Sequence, residues 1–437
     1  MRSLPTPRLQ PQRFAKRSGA IRRTTKHEDD CETSVRLPDG RPRTVVRIYR
    51  PFNGEVMKVA LSHDWLTGMR GGEYVLEAIS DMFPAAELFT LIAIPGKVSA
   101  RLEGVPTHVT WIQRIPGADT KYRTLLPLMP AAISSLNLDE FDLIVSSSHC
   151  VAKGIRKRHD AVHVSYVHAP MRYMWARFDE YFGPGQAPLH VRLAAHLCRP
   201  FLQRWDRRVS DPLHVNELVA NSAYIARQIH DAYQREARIV YPFVDVSRFG
   251  AQRRPGSKYL IVSAFAPYKR IDLAVEAFNR LELPLQIVGS GQDEKKLRDI
   301  AGPTIEFLGT RSNEEIAELY STCKAFVFPG AEDFGITPLE AMCAGAPVIA
   351  FAQGGATETV TERTGVFFSS QTLESMMEAV LKIENGTVLI HESDCRARAA
   401  VFSRSRFQRE LGSVIREVWT ASGKNISDLE SVMCLGV

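Results

Sequence analysis

Two carboxylates in one short segment are the residues of this sequence best suited to chemistry. Residues 325–341 read AFVFPGAEDFGITPLEA and contain Glu332 and Glu340, which are separated by seven residues. The pattern predicts a buried strand that ends at Phe328, followed by a loop and then a helix. Glu332 then lies in the loop and Glu340 in the first helical turn. Both carboxylates can therefore face one ligand from different sides.

The start of this helix predicts an anion site. Thr337 is the expected N-cap and Pro338 the expected first helical residue, a position where proline is tolerated. An anion such as a diphosphate is favoured at the positive end of a helix. The backbone amides that would point outward there are those of Gly335, Ile336 and Thr337. Simpler interpretations remain open, because Thr337 and Glu340 have capping-box spacing and Glu332 could be a solvated turn residue.

Two successive series of strands and helices must position these residues. The first series predicts buried strands at 58–62, 88–92, 143–147, 162–167 and 217–220. The second follows a break at Tyr241-Pro242 and predicts strands at 259–263, 285–288, 305–308, 325–328 and 347–350, with helices at 270–281, 294–300 and 313–322. Alternation of this kind predicts an α/β fold with two doubly wound parallel sheets. Ligands then bind at the carboxyl ends of the strands, in the cleft between the domains.

Composition excludes several classes of protein. The 437 residues are 45% hydrophobic and 24% charged, which is typical of a globular protein of two or three domains. The formal charge of +6 arises from residues 1–56, with 13 basic and 6 acidic side chains, whereas the remainder has 42 basic and 43 acidic residues. We therefore expect no nucleic-acid partner for the main part of the chain.

Residues 1–56 are predicted to be a disordered leader or an extended start, because they are rich in Arg and Pro and lack periodic apolar residues. They contain no apolar core of a signal peptide. An Arg-rich organellar transit peptide is the functional alternative. Met57 begins a natural first strand, so a chain that starts there should retain full activity.

The remaining composition indicates a reducing compartment. The seven cysteines are scattered and never form a C-x-x-C pair, which argues against structural zinc and against a disulfide framework. No run of roughly 18 or more apolar residues is present, so we expect no membrane-spanning helix. These features predict a cytoplasmic protein.

An ordered set of motifs resembles the retaining nucleoside-diphosphate-sugar glycosyltransferases of family 4, which have the GT-B fold. The two glutamates and seven-residue spacing, together with GGATETV at 354–360, are similar to that family. Further matching motifs are HDWLTGMRGGE at 63–73, SSSHCVAKG at 146–154, VSYVHAPMRYMW at 164–175, VANS at 219–222 and SAFAPYKRID at 263–272. The resemblance covers residues 57 to about 425. It is strongest to bacterial mannosyltransferase-type enzymes of lipopolysaccharide and exopolysaccharide assembly.

The resemblance implies roles for particular residues. Glu332 would bind hydroxyl groups of the donor sugar, and Glu340 the hydroxyl groups of the ribose. Lys269 would pair with the donor diphosphate, and His168 would lie close to the transferred sugar. Family members often carry an Arg five residues before this Lys, where the present sequence has Ala264. The remaining donor-binding candidates are the amides of residues 335–337 and the two small residues of the first strand-to-helix loop, Gly71 and Gly72.

The resemblance also implies the reaction and its partners. The donor would be a nucleoside-diphosphate sugar, with GDP-mannose favoured, and the acceptor a glycan or a polyprenyl-diphosphate-linked oligosaccharide. No D-x-D pair is present, so we expect transfer without a metal or other cofactor. No protein nucleophile or base is nominated, because in this family the leaving phosphate is thought to accept the proton of the acceptor.

Further expectations concern the acceptor side and the domain limits. Residues 151–210 hold 11 basic and 4 acidic residues, which could dock the protein peripherally on anionic membrane at the cytoplasmic face; solvated helix faces are the alternative. The predicted divisions are an acceptor-side domain at 57–240, a donor-side domain at 241–404, a helix at 405–425 that crosses back, and a tail at 426–437.

Two other functions remain open from the sequence. A sugar-nucleotide epimerase of similar architecture would convert the donor without an acceptor. A catalytically silent nucleotide-sugar-binding protein would bind the donor only, which is conceivable because of Ala264.

Overall fold

The computed structural model describes residues 57–185, 187–250 and 252–435. The predicted leader at residues 1–56 lies outside this part of the chain. Within the described residues, no helix combines the length and the apolar character needed to cross a membrane.

The strands of the first half form a seven-stranded parallel sheet and a small two-stranded one. Their bounds are β1 Val59–His63, β2 Glu87–Thr90, β3 Thr107–Val109, β4 Asn137–Leu138, β5 Leu143–Ser148, β6 Arg156–Lys157, β7 Val162–Val167, β8 Glu217–Ala220 and β9 Arg238–Ile239. The large sheet has the order β3-β2-β1-β5-β7-β8-β9, and β4 pairs with β6. The order reverses at β1, as in a doubly wound fold.

The strands of the second half form one six-stranded sheet, also parallel. Their bounds are β10 Tyr259–Val262, β11 Leu285–Val288, β12 Ile305–Gly309, β13 Phe326–Phe328, β14 Val348–Phe351 and β15 Gly365–Phe368. The order is β12-β11-β10-β13-β14-β15, so the reversal lies at β10. All ten predicted strands are present. The sequence did not predict β3, β9 and β15, which lie at sheet edges, or β4 and β6, which have two residues each.

Helices cover both faces of both sheets. In the first half they are α1 Gly71–Met82, α2 Ala100–Glu103, α3 Ala118–Lys121, α4 Met129–Ile133, α5 Phe178–Phe182, α6 Leu189–Val209 and α7 Ala223–Tyr233. In the second half they are α8 Ile271–Leu281, α9 Glu294–Ile300, α10 Asn313–Thr322, α11 Ile336–Cys343, α12 Ala356–Thr359, α13 Leu373–Glu384, α14 Glu392–Ala400, α15 Arg404–Ala421 and α16 Ile426–Val432. Short 3-10 turns include Val246–Phe249 and Pro267–Lys269.

The last two helices pack on the first sheet rather than on the second. Phe407, Leu411 and Ile415 of α15 belong to the same buried cluster as Leu61 and Val75 of β1 and α1. The helix therefore crosses back over the junction between the two halves.

The prediction of a loose tail at 426–437 is wrong for its described residues. Asn425 caps α16 through its side chain, and Leu429 is fully buried in the core of the first half. The amide of Cys434 donates to the carbonyl of Met82. Leu429 lies within α16, Met433 follows it as the C-cap, and both pack into the core of the first half. An apolar pattern this short does not stand out in the sequence.

We expect Leu429→Ala to lower the free energy of unfolding by about 2–5 kcal/mol, because it removes a fully buried side chain and leaves a cavity. The measurement is urea unfolding followed by circular dichroism. Leu389→Ala is the matched control, because Leu389 is 78% exposed. Equal losses in the two variants would contradict the packing of α16.

Candidate functional site

Lys269 and Glu332 form an ion pair at the carboxyl ends of β10 and β13. Lys269 ends the 3-10 turn Pro267–Lys269 after β10, and Glu332 follows β13 in the next loop. The ammonium group contacts the carboxylate directly, and both side chains are mostly buried. The backbone carbonyl of Glu332 also accepts a hydrogen bond from the amide of Gly355, at 2.8 Å. Residues that are 63 positions apart in the chain thus meet at one edge of the second sheet.

The helix after Glu332 begins earlier than predicted. Gly335 is the N-cap of α11, with φ of +86° and no capping side chain. The chain turns there into a conformation that glycine adopts without steric cost, so Ile336 is already the first helical residue. The predicted Thr337 N-cap and the capping box from Thr337 to Glu340 are therefore wrong. Pro338 still lies in the first turn, where no amide proton is needed within the helix.

Glu340 is held by two residues that the sequence reasoning missed. The Tyr320 hydroxyl donates to one carboxylate oxygen at 3.2 Å, and Arg248 approaches the other at 3.5 Å. Burial raises the pKa of the Glu340 carboxyl, and the Arg248 charge and the Tyr320 hydrogen bond oppose that shift. No hydrogen bond or ion pair joins Glu340 to Lys269 or Glu332 within the residues that the structure describes. No local motif marked Arg248, which lies in a 3-10 turn.

The two glycines of the first half lie against predicted site residues. They are the first two residues of α1 rather than part of the preceding loop, because the Glu73 carboxylate accepts the Arg70 amide and starts the helix at Gly71. A Cβ on Gly71 would lie 2.9 Å from Cδ1 of Ile336. A Cβ on Gly72 would lie 3.7 Å from Nε2 of His168. The missing side chain of Gly71 therefore allows α1 to approach α11, whereas a Cβ on Gly72 would lie at an ordinary van der Waals distance from His168.

His168 ends a chain of hydrogen-bonding groups that runs into the first half. Its Nε2 lies 2.8 Å from the Ser147 hydroxyl, which is 3.2 Å from Nδ1 of His63. Nε2 of His63 lies 3.9 Å from the Glu73 carboxylate. Burial, and then the neighbouring His149, hold the pKa of His168 well below its usual range. His168 is thus neutral near pH 7, and Ser147 fixes its orientation.

Asp64 organises the loop beside this chain. Its carboxylate accepts four backbone amides, at 2.6–3.0 Å; they belong to His149, Cys150, Val151 and Ala152. The His149 ring contacts the same carboxylate at 3.0 Å. Burial alone would raise the pKa of Asp64, but the His149 charge and these hydrogen bonds hold it well below its usual range. The position of Asp64 directly after a buried strand was the signal that could have identified it.

Residues of the first half form ion pairs and hydrogen bonds with the loop that carries Glu332. Arg172 pairs with the Asp333 carboxylate, and Arg177 lies 3.6 Å from it. Arg177 also donates to the carbonyl of Ala331 at 2.8 Å, and the Ser222 hydroxyl donates to the carbonyl of Asp333 at 2.6 Å. No sequence motif indicated a role for Asp333, which is the main ionic contact between the two halves at this site.

A cavity of about 350 Å³ lies between the halves beside the ion pair. Its lining includes Tyr268 and Ala331, which are the chain neighbours of Lys269 and Glu332. Other lining residues are Arg177, Glu180, Tyr224 and Arg270. None of the predicted site residues lines it, so the cavity adjoins the candidate site without containing it.

The two-sheet architecture matches solved structures. The structure of Anabaena HepE in complex with UDP and glucose aligns with a TM-score of 0.60 at 17% identity, over 82% of this chain and 99% of that one. A likeness at this identity establishes the fold alone. The protein has the GT-B fold. The predicted fold class is thereby confirmed.

Sequence relatives match parts of this GT-B chain. Residues 248–400 match the family model described as glycosyl transferases group 1. A GDP-mannose-dependent alpha-mannosyltransferase of Mycobacterium tuberculosis is 33% identical over 179 residues, which is 37% of this chain and 46% of that one. A D-inositol 3-phosphate glycosyltransferase of Mycobacteroides abscessus is 29% identical over 244 residues, which is 49% and 53%. The chain spans about half the length of the curated relatives it matches.

We expect Asp333→Asn to lower the free energy of unfolding by up to about 3 kcal/mol, because it leaves the mostly buried Arg172 without a carboxylate and Arg177 with Glu180 alone. The measurement is urea unfolding followed by circular dichroism. Asp139→Asn is the matched control, since its pair with Arg156 is exposed and should contribute about 0–1 kcal/mol. Equal effects in the two variants would contradict the role of Asp333 between the halves.

Proposed function

We propose that this protein is a retaining glycosyltransferase of family 4 that transfers a hexose, with mannose favoured, from a nucleoside-diphosphate sugar to a glycan or lipid-linked oligosaccharide. The reaction would serve cell-surface polysaccharide assembly in the cytoplasm. One observation carries the proposal: predicted donor-site residues from both halves adjoin one another across the cleft. Gly71 of the first half lies against Ile336 of the second half, and the adjacent Gly72 lies against His168 within the first half.

The phosphate end of the donor would bind at the second sheet. Departure of a nucleoside diphosphate leaves negative charge on the phosphates, and preorganised donors stabilise that charge. Lys269 and the amides at the start of α11 have the required character. In the structure, the Glu332 carboxylate is ion-paired with the Lys269 ammonium group. A bound diphosphate would share that ammonium group and leave the Glu332 carboxylate for hydroxyl groups of the sugar.

The ribose would bind at Glu340. A carboxylate has about four lone-pair positions, and Tyr320 and Arg248 use two of them. The remaining two suit the adjacent hydroxyl groups of a ribose. Arg248 also contributes positive charge in a chain where Ala264 replaces the arginine of the family pattern.

The sugar would lie between Glu332 and His168. The Ser147 hydroxyl is hydrogen-bonded to Nε2 of His168. Nδ1 of His168 has no hydrogen-bond partner among the described residues. A neutral imidazole with one nitrogen fixed and one open suits a sugar hydroxyl group better than it suits a phosphate. The Ser147 hydroxyl, which also contacts His63, would hold the imidazole ring in this orientation.

The chemistry would need no protein nucleophile. The leaving phosphate would accept the proton of the acceptor hydroxyl on the face from which it departs, with retention of configuration. The absence of a D-x-D pair in the sequence supports transfer without a metal cofactor. The name of the mycobacterial relative supports GDP-mannose as the donor, whereas the Anabaena complex holds UDP and glucose, so the experiment must test both bases.

The decisive experiment incubates the purified protein with GDP-mannose or UDP-glucose, with and without a polyprenyl-diphosphate-linked acceptor and with and without EDTA. Release of nucleoside diphosphate that depends on the acceptor and survives EDTA is the expected result. Conversion of the donor without an acceptor would indicate an epimerase. Binding without conversion would indicate a silent binding protein.

Glu332→Gln should lower kcat/KM about 100-fold or more, because it removes the charge that binds the sugar and orients Lys269. Steady-state transfer with the preferred donor is the measurement. Glu362→Gln is the control, since Glu362 is exposed and should leave transfer unchanged. Unimpaired transfer by Glu332→Gln would refute the assignment.

His168→Ala should lower kcat/KM about 100-fold, because the sugar loses a fixed partner in the cleft. Ser147→Ala should produce a smaller loss in the same assay, since it frees the ring without removing it. His108→Ala is the control, because His108 pairs with Glu87 on the surface. A loss in Ser147→Ala with none in His168→Ala would contradict the proposed role of His168.

A further inference from the structure

Helix α6 presents a row of apolar side chains to the outside. Leu189, Leu193, Leu197 and Phe201 are spaced four residues apart, and each is between 58% and 81% exposed. Residues at this spacing lie on one face of a helix. Single exposed leucines are ordinary on protein surfaces, but a contiguous row indicates a binding face.

The orientation of this face is set by the buried side of the same helix. Ala195, Leu202, Asp206 and Val209 are buried. Asp206 accepts hydrogen bonds from Trp175 and Tyr233, both at 2.8 Å, and pairs with Lys153 at 2.6 Å. The helix cannot turn its apolar row inward without breaking this buried network.

The outward face of α6 is also basic. The helix contains five arginines, of which Arg204, Arg207 and Arg208 are exposed. By helical periodicity, Arg204 and Arg208 follow Leu197 and Phe201 on the outward face. Asp206 is the one acidic residue of α6, and it is fully buried against Lys153. The exposed surface of α6 therefore carries positive charge beside apolar side chains.

The structure reduces the number of basic side chains at 151–210 that are available to a membrane surface. Lys153 is fully buried, and Arg158 is paired with Asp142 and Asp160. Arg172 and Arg177 hold Asp333. These four side chains are engaged within the protein and are not available to a membrane surface. The basic surface is mainly that of α6.

We propose that α6 is an interfacial helix that docks on an anionic lipid bilayer. Leu193, Leu197 and Phe201 would enter the boundary between headgroups and acyl chains, and Arg204 and Arg208 would contact lipid phosphates. Lipid fits this surface because apolar and cationic side chains share one outward face, and long arginine side chains reach phosphates while apolar neighbours insert. The docking does not depend on the proposed glycosyl transfer.

Vesicle flotation of the full-length protein tests the docking. Binding is expected to vesicles of phosphatidylcholine with phosphatidylglycerol, to weaken with salt, and to be much weaker with phosphatidylcholine alone. Arg204→Gln with Arg208→Gln should lower the partition coefficient about 30-fold. Leu193→Gln with Leu197→Gln should lower it about 10-fold or more. Glutamine keeps the helix propensity of α6.

Matched controls separate α6 from the rest of the chain. Arg280→Gln with Arg409→Gln neutralises two other exposed arginines, and Leu389→Gln with Val401→Gln alters exposed apolar residues of the second half. Both controls should bind as the unaltered protein does. Residues 1–56 are basic but are the same in every variant, so they contribute equally.

Three outcomes would overturn the proposal. The full-length protein could fail to bind anionic vesicles. The α6 variants could bind as well as their controls while keeping the same circular dichroism spectrum. Sedimentation could show a dimer that is lost in Leu193→Gln with Leu197→Gln, without vesicle binding, which would assign the apolar row to a second copy of the chain.

Discussion

The contact of Asp333 with two arginines holds the candidate site together. Arg172 and Arg177 come from the first half, and Asp333 is the neighbour of Glu332 in the second. Charges this poorly exposed are costly to leave unpaired, so the loop that presents Glu332 is tied to the first half. The approach of α11 to α1, and hence of Ile336 to Gly71, accompanies this contact.

Two buried carboxylates in the first half also fix the orientation of neighbouring elements. The Asp64 carboxylate accepts hydrogen bonds from four backbone amides of one loop. This loop follows the strand that carries Ser147, and Ser147 orients His168. Asp206 is satisfied by Lys153, Trp175 and Tyr233. In both places a carboxylate that is expensive to bury is fully paired, and a neighbouring element gains a single orientation.

The parallel sheets explain why residues far apart in sequence meet. In a doubly wound sheet every strand ends at the same edge, and the loops that follow are neighbours at the switch point. Lys269 follows β10 and Glu332 follows β13, which are adjacent strands. His168 follows β7 in the same way in the other sheet. The last two helices pack on the first sheet, so the two halves are also joined away from the cleft.

Local patterns were sufficient to predict ten of the strands and the two-sheet fold, and distinctive motifs indicated Glu332, Lys269 and His168 as candidates, whose roles stay predictions. Strand periodicity and turn chemistry depend on neighbours in the chain, and a distinctive motif can be read without coordinates. The same reasoning misplaced the start of α11, because the helix begins through the backbone conformation of Gly335 and not through a capping side chain. It also predicted a tail at 426–437, because the few apolar residues that pack this segment on the first half form no clear period in the sequence.

The sequence by itself determined which residue types follow each strand, and therefore the class of fold and the candidate chemistry. Only the tertiary structure decided how those residues are partnered. Lys153 belongs to the basic region that the sequence predicted as a docking surface, and it is fully buried. Asp333 lies in a loop where no motif indicated a role for it, and it joins the halves. The leucines of α6 recur every four residues, and they are exposed. Burial and pairing depend on which distant elements pack together, and that information is absent from any local stretch of sequence.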